Sequence, residues 1–336
     1  MSMFCFQCQE TAKNEGCTVR GVCGKIDVVS NLQDVLVFVV KSVANYSNQL
    51  RKLGNTDEKV NEYILKGLFI TITNANFDDN EIELEVKKGL ELRNMLRTKL
   101  LELGGEVNDK FEGTLLTTFK YKGKESLEEV GKAVGVLRTE NEDVRSLREV
   151  ILYGLKGMAA YAYHAYNLGK NDEELYDFYE RALLATIDES KTAEELIALV
   201  IETGKYGVNA MALLDAANNG AFGMPEMTEV NIGVGNKPGI LISGHDLKDI
   251  KALLEQTEGT GIDVYKNYEM LPAHYYPELK KYKHLEGNYG NAWYHQVKEF
   301  ETLRNKICLR NVDYELYILE VEIRKLKIEI LSRMNR

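Results

Sequence analysis

Proline is missing from the whole stretch before Pro225; the four prolines are Pro225, Pro238, Pro272 and Pro277. A long region without the strongest helix breaker excludes a turn-punctuated β-rich architecture there and predicts helices. Positive charge is outnumbered, 42 Lys and Arg against 52 Asp and Glu, for a formal net charge of −10. That balance excludes a phosphate-binding surface, which needs clustered Lys and Arg to displace counterions, so no nucleic-acid partner is expected. No run is expected to reach the roughly 18 apolar residues needed to span a bilayer. The opening MSMFCFQCQE lacks both the basic and the apolar region of a signal peptide. No membrane partner is expected, and a cytoplasmic location is. Disorder is excluded as well, because 44% hydrophobic and 28% charged residues over 336 positions suffice for two well-buried cores.

Helix starts are expected where a hydroxyl side chain stands three residues before Glu or Gln, as in Ser30 with Gln33, Ser126 with Glu129 and Thr192 with Glu195. Val60, Tyr63, Ile64, Gly67 and Leu68 form a helical stripe, and Val144, Leu147, Val150, Ile151 and Leu155 form another. Helices are predicted near 28–53, 57–72, 80–103, 126–136, 141–168, 172–187 and 192–216, a bundle or pair of bundles. Turn formers at Asn218-Asn219-Gly220, Gly223 and Pro225 suit a domain boundary. Beyond it, the apolar run Gly239–Gly244, a helical stretch from Asp246 to about Gln256 and a β-like run over 262–265 read as the strand-helix-strand unit of a parallel sheet. His245 and Glu269 then fall at the C-terminal strand ends, where ligands gather. From Glu301 on, a segment rich in Ile, Leu, Lys, Arg and Glu fits a helix or disorder.

The chain has five cysteines, and four of them crowd the N-terminus as C-x2-C-x8-C-x5-C, at Cys5, Cys8, Cys17 and Cys23. In a reducing compartment such crowding points to metal. Spacing leaves iron-sulfur, structural zinc and unligated thiols all open. Cys308 reads as a lone thiol on an apolar helix face.

The phrase Phe4-Cys5-Phe6-Gln7-Cys8-Gln9-Glu10-Thr11, continuing to Gly21-Val22-Cys23-Gly24-Lys25, resembles the opening of hybrid cluster (prismane) proteins, the hydroxylamine reductase family. A second stretch resembles the same family: Leu213–Asn218, Glu229–Gly233, Gly239–Asp249, Gln256–Gly261, Glu269–His274, Gly287–Gly290 and Trp293. The resemblance covers about residues 1–300. It implies a cysteine-rich cluster-binding segment at 1–26, a helical bundle domain at 27–224 and a partial Rossmann-like α/β domain at 225–300 related to that of carbon monoxide dehydrogenases; the atypical tail at 301–336 lies outside it and is expected to be helical from its composition. It further implies a four-iron four-sulfur cluster on Cys5, Cys8, Cys17 and Cys23, with zinc a minor alternative. His245 and Glu269 align with ligands of the family's second, hybrid iron-sulfur-oxygen cluster, where small nitrogen compounds such as hydroxylamine are reduced with electrons from a redox donor. Tyr268 stands where a glycine is expected before that ligand. His274 is assigned a supporting role, and His164, His284 and His295 packing or surface roles.

The family's second cluster needs further cysteines and a glutamate from a third domain, and nothing after Glu301 resembles it. Cys308 is not carried over as a ligand, and Asp313 occupies the place expected for one. A frameshift or premature end is therefore expected, with the hybrid cluster not assembled and the chain inactive by itself. Three readings follow: an oxidoreductase of the hydroxylamine reductase type, a non-enzymatic electron-transfer or cluster-binding module holding only the N-terminal cluster, or a structural zinc on the four cysteines that staples the N-terminus to the helical domain.

Overall fold

The computed structural model describes residues 2–292, apart from residue 74, together with residues 295, 298–299 and 307–311. The chain divides into two compact units, one comprising Met1–Tyr166 and Lys170–Leu214, the other Asn167–Gly169 and Asp215–Arg336.

The first unit is helical. Its helices are α1 (Asp27–Lys52), α2 (Glu58–Phe69), α3 (Asp79–Glu102), α4 (Leu115–Thr118), α5 (Lys124–Val134), α6 (Glu142–Asn167), α7 (Glu173–Ala185) and α8 (Ala193–Phe222), the last turns of α6 and α8 running into the second unit. The bundle is organised around α1, which packs against α2, α3, α5 and α7. Leu32, Val35, Leu36, Val39, Val40 and Val43 on α1 are wholly buried, and each such side chain contributes about 1.5–3 kcal/mol. At Gly89 of α3 the helices come close enough that an added Cβ would stand 2.5 Å from a Val39 methyl.

Most of the starts are set by caps. Asp57, Asp78 and Asp172 accept hydrogen bonds from free amides at the starts of α2, α3 and α7. Thr192 and Glu195 form the reciprocal box expected of them, Thr192 N donating to Glu195 Oε2 (2.9 Å) and Glu195 N to Thr192 Oγ1 (3.3 Å).

Several local expectations are corrected. Ser30 is buried inside α1, which begins at Asp27, and Gln33 instead accepts from Lys25 Nζ (2.6 Å) and donates to the Asn76 carbonyl (2.9 Å). Ser126 lies inside the first turn of α5 and donates to the Gly123 carbonyl. On α6 the buried face runs through Ile151, Leu152, Leu155, Met158, Ala159 and Ala162, leaving Val150 half exposed. Helix α8 continues through Asn218-Asn219-Gly220 and stops at Gly223, whose φ of +86° ends it in the left-handed conformation. By length and composition α8 is also long and apolar enough to cross a membrane, which corrects the expectation that no such run exists; 17% of its most apolar window is buried.

The second unit carries a four-stranded parallel sheet in the order β3-β2-β1-β4, with β1 Gly239–Ser243, β2 Asp263–Lys266, β3 Leu285–Asn288 and β4 Ile307–Asn311. Helix α9 (Leu247–Thr257) connects β1 to β2, and the short α10 (Pro277–Lys280) precedes β3. Ile240, Ile242 and Val264 pack with Ile250, Leu253 and Leu254 of α9 and with Met270, Ala273 and Tyr276. Leu241 and Tyr265 are buried too, so both sheet faces are covered, which explains the continuous apolar run. The order reverses between β1 and β4, the topological switch point of such sheets. The fold is thus multidomain, α followed by parallel α/β, as expected. The helical tail is corrected in one stretch: Ile307–Asn311 is a strand, with Cys308 in register with Ile240, so Cys308 is not on a helix. The remainder of that tail lies outside the described residues.

Candidate functional site

The N-terminal cysteines sit on a segment held by a few backbone bonds and one turn of 3-10 helix at Ala12–Asn14. Cys5 and Cys17 pair as an isolated antiparallel bridge, Cys5 N donating to Cys17 O (3.1 Å) and Cys17 N to Cys5 O (2.8 Å). Thr11 closes the loop between them: its amide donates to Cys8 O (3.2 Å), its hydroxyl to Cys5 O (3.1 Å), and that hydroxyl lies 3.8 Å from Cys17 Sγ. Cys23 is carried on a tight turn in which Gly24 N donates to Gly21 O and Gly21 N to Lys25 O. A Cβ at Gly21 would come within 3.0 Å of Cys23 Sγ, so glycine there leaves room for the sulfur. Phe4 stacks at a tilt on Phe6, and Phe6 meets Tyr153 of α6 edge-on, fixing the segment to the bundle.

Electrostatics link the four sulfurs. Burial pushes the Cys8 thiol up against the pull of the Glu10 amide, and Cys5, Cys23 and Cys17 push it further by like-charge repulsion. Burial also acts upward on Cys17, yet the Ala12 and Val22 amides, the Thr11 hydroxyl and Lys25 together hold it below the ordinary thiol value. Amide and hydroxyl donors aimed at a thiolate are the second-sphere bonds that tune sulfur ligands. Among the described residues no three His, Cys, Asp or Glu side chains close around a single ion. A multi-iron cluster sets its thiolates farther apart than the shell of one ion does. The donor set, four thiols with amide support, fits a thiolate-held group.

The second arrangement lies at the C-terminal ends of β1 and β2. Gly244, at φ +115°, turns the chain out of β1 and presents His245. Asp246 then caps α9 by accepting from Lys248 N (2.7 Å) and Asp249 N (3.1 Å). After β2, Asn267 N donates to Ile242 O (2.8 Å), and a 3-10 turn over Tyr268–His274 carries Glu269. Tyr268 has φ +27°, a left-handed value that favours glycine. His245 Nε2 stands 3.0 Å from Glu269 Oε2, with the side chains 54% and 36% exposed. An imidazole and a carboxylate thus meet at an open strand end, a pairing that suits iron with free coordination positions.

The other histidines are occupied by packing. His274 is buried, with Nε2 3.3 Å from the Leu285 carbonyl; burial, then Lys266, depress it to about 4 against the pull of that carbonyl. His164 sits edge-on to Phe69, and His284 Nε2 lies 2.9 Å from Thr257 Oγ1. Sequence reading missed two features. Lys266 at the end of β2 is fully buried, held down to about 8 by burial, with Nζ donating to Asn288 Oδ1 (3.2 Å). In the helical unit, Gln33, Asp34 and Lys41 of α1 face Arg148, Glu149, Tyr153 and Lys156 of α6 across a polar chamber. Its only sequence signal is polar residues spaced along an otherwise Val- and Leu-rich helix.

Residues 3–310 match the Prismane/CO dehydrogenase family. A hydroxylamine reductase from Clostridium perfringens is 56% identical over 310 residues, covering 92% of this chain and 56% of that protein. Hydroxylamine reductases from Desulfitobacterium hafniense and Thermoanaerobacter pseudethanolicus are 54% and 53% identical over 309 residues, with the same coverage. The chain thus spans about half the length of the curated relatives it matches. A nickel-free carbon monoxide dehydrogenase from a Thermococcus species aligns over 89% of this chain and 44% of its own at 13% identity, with a TM-score of 0.29. That similarity is too low to carry an argument.

Proposed function

The chain belongs to the Prismane/CO dehydrogenase family, and from that premise we propose that it serves as an iron-sulfur oxidoreductase of the hydroxylamine reductase type. In this reading Cys5, Cys8, Cys17 and Cys23 hold a four-iron four-sulfur cluster, and His245 and Glu269 contribute to a second, hybrid iron-sulfur-oxygen cluster. The clusters, when bound, supply electron storage and open iron positions. The substrate class is a small nitrogen compound; hydroxylamine takes up two electrons and two protons and yields ammonia and water. The electrons come from a redox partner. A cytoplasmic location goes with this reading, because thiolates stay reduced there.

The observation that carries the proposal is the 3.0 Å approach of His245 Nε2 to Glu269 Oε2 at the strand ends next to the switch point. What the chain's own residues contribute is positioning. The Asp246 cap and Gly244 turn aim His245 and the 3-10 turn aims Glu269, so that an imidazole and a carboxylate donor are presented together at one strand end. Their partial exposure leaves a small substrate direct access.

A second reading, a non-enzymatic electron-transfer module, is favoured by the donor count. The N-terminal segment supplies a full set of four thiols by itself, whereas sulfide-bridged iron at His245 and Glu269 needs thiolates that no described residue of that strand end offers.

The test is an anaerobic iron, sulfide and zinc count on the purified chain with its visible spectrum and a hydroxylamine reduction assay. Iron beyond about four per chain with turnover supports the oxidoreductase. About four irons with broad charge-transfer absorption and no turnover supports the electron-transfer reading. Stoichiometric zinc without iron overturns both.

A further inference from the structure

The polar chamber between α1 and α6 lies within the helical unit, and Phe4, Cys5 and Gln7 of the cysteine segment form part of its wall. Its lining includes four cationic side chains, Lys41, Arg138, Arg148 and Lys156, against the carboxylates Asp34 and Glu149. Most of the cations are already occupied. Arg148 donates to Glu189 and Thr139 and to the Asp188 carbonyl; Arg138 donates to Glu189 and the Thr186 carbonyl. Lys156 donates to the Thr71 carbonyl at 3.1 Å and to Gln7 at 3.5 Å.

Lys41 is different. It is 7% exposed, lines the chamber, and makes no hydrogen bond or ion pair among the described residues. The buried Arg148 Nε also lacks a partner. A buried ammonium with no hydrogen-bonded counter-charge is costly, and the neighbouring guanidinium groups add to the cost. Burial and then Arg138 depress Lys41 to about 7, with Lys156 and Arg148 pushing the same way and Glu149 opposing. Two outcomes relieve such a group: loss of its proton, or a negative ion beside it.

We propose that this chamber is a binding site for a small monovalent inorganic anion of halide size, anchored by Lys41 with Arg148 beside it. Size supports this class: the cavity is about 30 Å³, room for one water-sized or halide-sized occupant and too little for phosphate or an organic acid. A neighbouring cavity of about 430 Å³ shares Phe38, Val134, Arg138 and Ile187 with the chamber wall. The two carboxylates do not defeat the assignment. Burial pushes Asp34 up, against the pull of Lys156, so that its protonated form can donate to an anion, and Glu149 leaves the cationic excess in place.

The full chain is melted in sodium chloride and in sodium gluconate at equal ionic strength, gluconate being too large for the chamber. Wild type is expected to melt about 3 °C higher in chloride at saturating concentration. Lys41→Met, which keeps the length of the side chain and removes the charge, is expected to melt equally in both salts. An equal melting temperature in the two salts for wild type, or a chloride increment that survives in Lys41→Met, overturns the proposal. Independently of any variant, wild-type crystals soaked in bromide are expected to show an anomalous peak within hydrogen-bond distance of Lys41 Nζ. Absence of that peak overturns it also.

Discussion

His245 Nε2 and Glu269 Oε2 are 3.0 Å apart although α9 and β2 separate them in the chain. The contact exists because β1 and β2 run parallel and both side chains leave from the C-terminal strand ends. If both residues serve the second cluster, Glu269→Gln, which keeps the shape and removes the charge, should lower iron occupancy and hydroxylamine turnover there by roughly 10–100-fold. The visible absorption of the N-terminal cluster should be unchanged. Iron analysis with the turnover assay checks this, and unaltered turnover would remove Glu269 from the site.

Cys17 pairs with Cys5 through two backbone bonds and collects amide and hydroxyl donors at its sulfur. Cys17→Ser should therefore abolish most of the N-terminal iron and its charge-transfer band. The far-UV circular dichroism should remain helical, since the core around α1 is built from apolar side chains of the helices themselves. Cys308→Ser, on β4, should leave the same band intact.

His274 titrates at about 4 in the folded chain against an ordinary 6.5, chiefly because it is buried. The unfolded chain therefore binds the proton first as pH falls. Stability from this residue is complete above about 6.5, declines as pH drops, and is lost through about 4, on the order of 3 kcal/mol in all. Denaturant melts between pH 7 and 4 should show this slope, and His274→Gln, which can still donate to the Leu285 carbonyl, should flatten it.

Tyr268 holds a positive φ immediately before Glu269, and a non-glycine residue there costs about 1 kcal/mol or more. Tyr268→Gly should therefore leave stability unchanged or slightly raised despite the loss of a partly buried ring. A loss above about 2 kcal/mol in urea would show that ring packing outweighs the backbone strain.

What the sequence determined by itself is local. Missing prolines, apolar stripes and a capping box marked the helices of the first unit, and the run Gly239–Gly244 with its following helix marked the parallel sheet, because these signals act over a few residues of chain. The cysteine spacing and the unexpected Tyr268 were legible for the same reason; the latter sits at a left-handed φ. Tertiary structure alone decided the rest. Ser30 became a core residue because α1 starts a turn earlier and is buried on nearly every side, and α8 ran through Asn218-Asn219-Gly220 until Gly223 supplied a conformation that ends a helix. The strand at Ile307–Asn311 is made by pairing with β1, a partner far away in the chain. The meeting of His245 with Glu269, and of Lys41 with Arg148 in one chamber, likewise depends on which elements pack together, and no periodicity along one segment encodes a distance to another.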